Sequence, residues 1–279
     1  MAAKNKFLNA MKMPSIDDMF SSEADRQRES GDLVTEVPLS ELHPFVGHPF
    51  EVRDDEDMQK LVDSIRENGV LTNLTVRRRA EGGYEIISGH RRFHAAQRAG
   101  LTAVKVQVRD IDDDQAIISM VDSNIQREHI SPMEKARAYR MKYDALKRQG
   151  CRTDLTSPQV ASKFRSDDEV AKGQGISGDT VRRFIRLTNL IPELLDMVDN
   201  KTVSFNPAVE LSYLSPEQQQ EVIRAMDDTQ NFPSVSQAKR IKKLAQDGTF
   251  TTETVVAIMG EEKKSELDTV TIKNDTLKK

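Results

Sequence analysis

The stretch YEIISGHRRFHAAQRAG, Tyr84 to Gly100, leaves the backbone few choices. An apolar strand-like run carrying Ile86 and Ile87 stops at Gly89, and the pattern then becomes helical, with Phe93 and Ala96 on an inward side and Arg91, His94, Ala95 and Arg98 sharing another. Gly100 ends the helix and AVKVQVRD resumes as a strand, so strand, helix and strand follow one another with single glycines between. The helix opens on His90, Arg91 and Arg92, where the positive end of its dipole disfavours cations by about 0.3 to 1 kcal/mol each. Two arrangements relieve that cost. Either an anion such as a phosphate sits at the first turn, held by backbone N–H groups and forked guanidinium donors, or the arginines pair with the acidic runs EVRDDED and DIDDD.

The surrounding sequence extends the same alternation. LVTEVPLSEL reads as short extended segments, and a helix is expected from about Asp55 to Glu67 with Met58, Leu61, Val62 and Ile65 on one face and Asn68-Gly69 as its stop. LTNLTVRRR and GYEIIS read as strands about a turn at Glu81-Gly82-Gly83. The expected organisation is a tail over 1–32, an α+β domain over 33–112, a helical domain over 113–230 and a C-terminal helical segment and tail over 231–279. In the tail, Phe7, Leu8 and Met11 interleaved with Lys4, Lys6 and Lys12 read either as a short amphipathic recognition segment or as an ordinary disordered start.

The chain has 279 residues, a formal net charge of -4 and a single cysteine, Cys151. It has too few thiols for an internal disulfide or a Cys-based zinc or iron-sulfur centre, and its five histidines form no HExxH. No apolar run reaches the roughly 18 residues of a membrane span, so a cytoplasmic protein without stable membrane insertion is expected. With an acidic total, any DNA contact has to come from a local basic surface.

Such a surface is offered by the second half. SPMEKARAY starts a helix with Ser131 as N-cap, Pro132 at its first position and Glu134 completing a capping box. Further on, SPQVASKF and SGDTVRRFIRLTNL read as two amphipathic helices around a long polar connection, RSDDEVAKGQGIS, in which DDEVAKGQG looks like an insertion. In the second helix, capped by Ser177, the apolar positions Val181, Phe184, Ile185 and Thr188 set the opposite face, which carries Thr180, Arg182, Arg183 and Arg186 as a recognition helix in a major groove would. PELLDMVD, NPAVELSYL, SPEQQQEVIRAM and SVSQAKRIKKLAQ are helix candidates, and TIKNDTLKK reads as a strand with a basic end.

From SIRENGVLTNLTVR through GGYEIISGHRRFHAAQRAGLTAVKVQV to SNIQREHISPMEKARAY, the chain resembles the ParB partition protein family over roughly Leu39 to Leu214. Within it, RLTNLIPELLDMVDNKTVSFNPAVELSYLSPEQQ is similar to members from plasmids and integrative mobile elements. The resemblance implies a ParB/sulfiredoxin-like α/β domain followed by an all-α helix-turn-helix domain, CTP with Mg2+ as ligands, and a homodimer that nucleotide closes into a clamp on double-stranded DNA at a palindromic site. It also implies a ParA-type ATPase as partner of the tail. The family's phosphate motif falls on Gly89, His90, Arg91 and Arg92, and its Glu-Asn-x-x-Arg motif on Ser123, Asn124, Ile125, Gln126 and Arg127, so Asn124, Gln126 and Arg127 join the nucleotide set and Asn124 with Asp122 the metal set. His90 replaces a glutamate implicated in hydrolysis, Ser123 replaces a carboxylate, and GHPFEVR puts Phe50 where many members have a Gln-Pro-Arg element.

Two other functions fit parts of this pattern. A sulfiredoxin-like or serine-kinase-like scaffold would make the chain a nucleotide-dependent phosphotransferase. A helix-turn-helix regulator that has lost its nucleotide would tolerate His90 and Ser123.

Overall fold

The computed structural model describes residues 33–127, 130–153 and 166–261. The chain divides into two compact units at Asn124/Ile125, and its fold class is α+β. The tail before residue 33, the segment SPQVASKF and the TIKNDTLKK end lie outside the described residues.

The first unit is built on five strands, β1 (Leu33–Pro38), β2 (Leu42–Pro44), β3 (Leu74–Arg78), β4 (Tyr84–Ser88) and β5 (Ala103–Val108), in the order β1-β5-β3-β4-β2. β1 is antiparallel to β5, β3 parallel to β5, β3 antiparallel to β4, and β2 parallel to β4. The β3–β4 turn falls at Gly82 and Gly83, both at positive φ, as the sequence led one to expect. A Cβ on Gly83 would stand 2.7 Å from the Glu41 carbonyl oxygen, so the turn also needs glycine for space.

Among the described residues, three α-helices and a 3-10 turn at Leu39–Glu41 complete this unit. α1 (Glu56–Asn68) starts where Asp55 accepts the Met58 N–H at 2.8 Å and ends at Gly69, and it buries Met58, Val62 and Ile65. α2 (His90–Ala99) packs beside it and adds Phe93, Ala95 and Ala96 to a core with Leu74, Val76, Ile86, Val104 and Val106. Strand alternation sends Ile87 to the other face of β4, where α3 (Asp113–Asn124) packs. Arg77 fixes that helix: it donates to Glu85 across the β3–β4 pair at 2.7 Å and to Asp113 at 2.6 Å. α3 therefore belongs with the sheet, although its sequence pattern had grouped it with the helices that follow.

The second unit holds α4 (Pro132–Thr153), α5 (Ser166–Ala171), α6 (Gly178–Leu187), α7 (Pro192–Asp199), α8 (Phe205–Leu211), α9 (Pro216–Thr229), α10 (Val235–Gln246) and α11 (Thr252–Met259). The capping box of α4 is formed, Glu134 accepting the Ser131 N–H at 2.8 Å and Ser131 Oγ the Glu134 N–H at 3.1 Å. Asp199 at the end of α7 takes two more donors there, Ser131 Oγ and the Met133 N–H, both at 3.0 Å. Leu187, Leu194, Leu211, Val222, Met226, Ile241 and Met259 share one core. Gln219, fully buried on α9, accepts from the Ile191 N–H and donates to the Asn189 and Leu214 carbonyls at 2.8 to 3.0 Å, so it anchors the chain leaving α6.

Candidate nucleotide turn and helix-turn-helix

At the start of α2, Gly89 is the N-cap, with φ 106° and ψ 21°, and no side chain caps the turn. The first helical bond runs from the Phe93 N–H to the Gly89 carbonyl, so the N–H groups of His90, Arg91 and Arg92 precede any intrahelical partner. A Cβ at Gly89 would lie 3.0 Å from Leu74 Cγ and 3.2 Å from Arg92 Nη2, which makes this a cradle only glycine leaves open. The turn can take a phosphate by backbone donation along the helix axis.

The four predicted motif residues divide by role. Arg91 is half-buried and donates to Asp55 at 3.3 Å, and Arg98, two turns further along α2, reaches Asp54 and also Gln59 at 3.0 Å. The acidic run before α1 thus balances the α2 cations. Met58's N–H first, and Arg91 second, hold the Asp55 carboxyl below its usual value. Arg92 turns inward, donating through Nη1 to the Thr72 and Asn73 carbonyls at 2.6 and 2.8 Å, and burial lowers its pKa. His90 is 5% exposed; its Nε2 accepts from the Phe45 N–H at 3.4 Å and its ring lies 3.8 Å from that of His48. What His90 presents at the turn is therefore its backbone N–H. Phe50, from the altered early element, is buried in the same unit, and His48 Nδ1–H donates to its carbonyl at 2.7 Å.

Asn124 closes α3 with its side chain buried and its amide donating to the Met120 carbonyl at 2.7 Å and to Ser123 Oγ at 3.2 Å. Asp122 is exposed and lies two residues, or about 200°, round the helix, so Asp122 and Asn124 present no common face to a metal ion. Among the described residues no cluster of three or more His, Cys, Asp or Glu fits a metal. Gln126 and Arg127, both exposed, follow in the second unit.

In the second unit the connection expected to be long and irregular contains a helix. Ser166–Ala171 forms α5, so the segment read as irregular is part helical: α5, a turn through Gly173 and Gly175 at positive φ, and α6 make a compact helix-turn-helix. Asp167, Asp168 and Glu169 fill the first turn of α5, where the dipole favours anions, and Val170 and Ala171 are buried at its end. A Cβ on Gly178 would overlap the Asp168 carboxylate, so α6 starts in close contact with α5. The acids Asp167, Asp168 and Glu169 in a row are the sequence signal that suits such a first turn.

α6 begins at Ser177, whose Oγ accepts the Thr180 N–H at 3.2 Å and meets Thr180 Oγ1 at 2.9 Å. Tyr139 of α4, Phe184 and Phe205 of α8 form an aromatic series with centroid separations of 5.6 and 4.7 Å, which sets the helix's rotation. Arg182 and Arg183 are exposed. Arg182 pairs with Asp167 at 2.9 Å and with Asp179, while Arg183 stands 5.3 Å from the Phe205 ring and contacts Asn206. Arg186 is half-buried, donates to the Ser212 carbonyl at 2.6 Å and lies 3.9 Å over Tyr213, a contact the sequence did not reveal. Of the three predicted cations, Arg182 and Arg183 face outward, the former shared between two carboxylates, and Arg186 is built into the fold.

An α+β unit with a Gly-capped cationic helix, joined to a helix-turn-helix unit, defines a class of two-part binding protein. Residues 23–125 match the ParB N-terminal domain, and the chain belongs to the ParB family. The chromosome-partitioning protein Spo0J of Thermus thermophilus is 34% identical over 68% of this chain and 63% of its own length, so the chain spans less than two thirds of that relative. The C-terminally truncated ParB of Caulobacter crescentus complexed to the centromeric parS site is 22% identical, over 81% of this chain and 98% of that one, with a TM-score of 0.45. The same protein complexed with CTP-γ-S is 25% identical, over 74% and 97%, with a TM-score of 0.32.

Proposed function

We propose that this chain is a sequence-specific, dimeric DNA-binding partition protein in which CTP, bound at the Gly89 turn, gates closure on double-stranded DNA. The observation that carries the reading is the compact α5–α6 pair with Arg182 and Arg183 outward, found in a member of the ParB family. For the nucleotide, the Gly89 turn offers backbone N–H groups and Arg91 to the phosphates, and the nucleotide supplies the negative charge the helix start lacks. Asn124, Gln126 and Arg127 belong to the same proposed set through the family motif. Magnesium enters with the triphosphate as its counter-ion. Residues 1–20 are proposed to engage a ParA-type ATPase, and the protein to associate with nucleoid or plasmid DNA; among the described residues no helix is long and apolar enough to cross a membrane.

The test is a binding panel. CTP, UTP, ATP and GTP with Mg2+ are titrated calorimetrically, with and without a duplex selected from a random pool. CTP binding together with selection of a two-fold site is the expected result. Duplex selection without any nucleotide binding would point instead to a helix-turn-helix regulator, and failure to select a duplex would end the reading.

A further inference from the structure

α10 has the sequence VSQAKRIKKLAQ, with four cations and no acidic residue, in a chain whose net charge is negative. Its apolar side, Ala238 and Ile241, is in the core of the second unit. Lys239, Lys242 and Lys243 stand at i, i+3 and i+4 and so share one stripe. Which way that stripe faces is fixed by Lys242, whose Nζ is 3.8 Å from the centroid of Tyr213 and 2.8 Å from Glu210. Tyr213 is 49% exposed and is the ring over which Arg186 of α6 also stands. One aromatic side chain therefore joins the recognition helix to the lysine stripe, the ring faces letting two cations approach where a bare pair would repel. Among the described residues, Lys239 and Lys243 are exposed and make no ion pair, in contrast to Arg240, which is held by Glu261 at 2.8 Å.

We infer that this stripe is a second DNA contact, in which Lys239 and Lys243 bind backbone phosphates flanking the bases that α6 reads. The occupant is duplex DNA because the surface offers exposed ammonium groups, each a mobile point charge, linked through Tyr213 to the helix that carries the base-reading arginines. Phosphate contacts of this kind orient a duplex and carry no sequence information. Tyr213, Arg186 and Lys242 hold the stripe in register with α6 and are spacers rather than readers.

The inference rests on the DNA-binding reading above, and its test separates the two. The double variant Lys239→Ala with Lys243→Ala is compared with the parent protein on the selected duplex and on a scrambled duplex across a salt series. Removing one lysine–phosphate interaction flattens the slope of log K against log salt by about 0.9. The expected result is a slope reduced by up to about 1.8, an equal fold weakening on both duplexes and an unchanged preference between them, with arginine at both positions restoring the slope. An unchanged melting temperature shows that the fold is retained. Parent binding with no slope change in the alanine variant overturns the stripe and leaves α6 as the reader. A change in the preference between duplexes also overturns it, since the lysines would then read bases. A parent protein that binds neither duplex overturns both.

Discussion

Arg91 and Arg92 adjoin in sequence but make different contacts. Arg92 directs Nη1 at the Thr72 and Asn73 carbonyls and backs the Gly89 cradle, whereas among the described residues Arg91 meets the Asp55 carboxylate, a partner a phosphate can replace. Arg91→Ala is expected to lower thermal stability only slightly, by the small worth of a partly exposed ion pair with Asp55, and to weaken CTP by roughly ten- to a hundredfold, the worth of one charged hydrogen bond. Arg92→Ala is expected to lower the melting temperature, because the part-buried Asn73 carbonyl loses its charged donor at a cost of roughly 1.5 to 3 kcal/mol, while water can replace the donor at the exposed Thr72 carbonyl. Equal effects of the two variants on stability would contradict this division. Asp55 reports on the same contact: its carboxyl titrates below its usual value, chiefly through the Met58 N–H and then through Arg91. A depressed folded-state pKa means that the cap stabilises above the unfolded-state pKa and that this stabilisation disappears as pH falls through the folded value. In Arg91→Ala the Asp55 pKa should rise, yet stay below normal because the backbone donor remains; carboxyl NMR titration measures both.

Among the elements, those with a strong local signal were legible and those defined by contacts across space were not. α1 was readable from Asp55, four apolar positions at helical spacing and Gly69; α2 and the β3–β4 turn were fixed by Gly89, Gly100 and the Gly82-Gly83 pair. α5 was missed because six residues with three acids show no period, and its apolar end, Val170 and Ala171, acquires meaning only against α6. The candidate site divides likewise: the Gly89 turn was visible, but the balance of Arg91 by Asp55, the burial of His90 against His48 and the capture of Arg186 by Tyr213 join residues distant in sequence. Gln219 is the clearest such case, since nothing local marks a buried glutamine on an amphipathic helix. Gln219→Ala should be among the most destabilising single changes in the second unit, because it strands the Ile191 N–H and the Asn189 and Leu214 carbonyls at about 1 to 3 kcal/mol each. Urea unfolding gives the cost. A destabilisation below about 1 kcal/mol would mean that water replaces all three bonds.

For the molecule as a whole, the gating proposal makes a thermodynamic demand. If CTP at the first unit changes the affinity of the second unit for its duplex, the duplex must change the affinity for CTP by the same factor, because the two routes to the ternary complex share their end points. A coupling of about 1 to 3 kcal/mol, or five- to 150-fold, is the ordinary range for two sites that bias one conformational equilibrium. The prediction is therefore a closed cycle, measured on a short duplex from which the protein dissociates freely: CTP affinity with and without duplex, and duplex affinity with and without CTP, shift by one factor, and Arg91→Ala lowers CTP affinity while leaving apo duplex affinity as it was. On closed circular DNA, where a clamp cannot slide off an end, CTP should further prolong retention in high salt, and cutting the circle should abolish the gain. Factors of one in both directions would show two units that bind independently, and the chain would then be a partition-family DNA reader without a nucleotide gate.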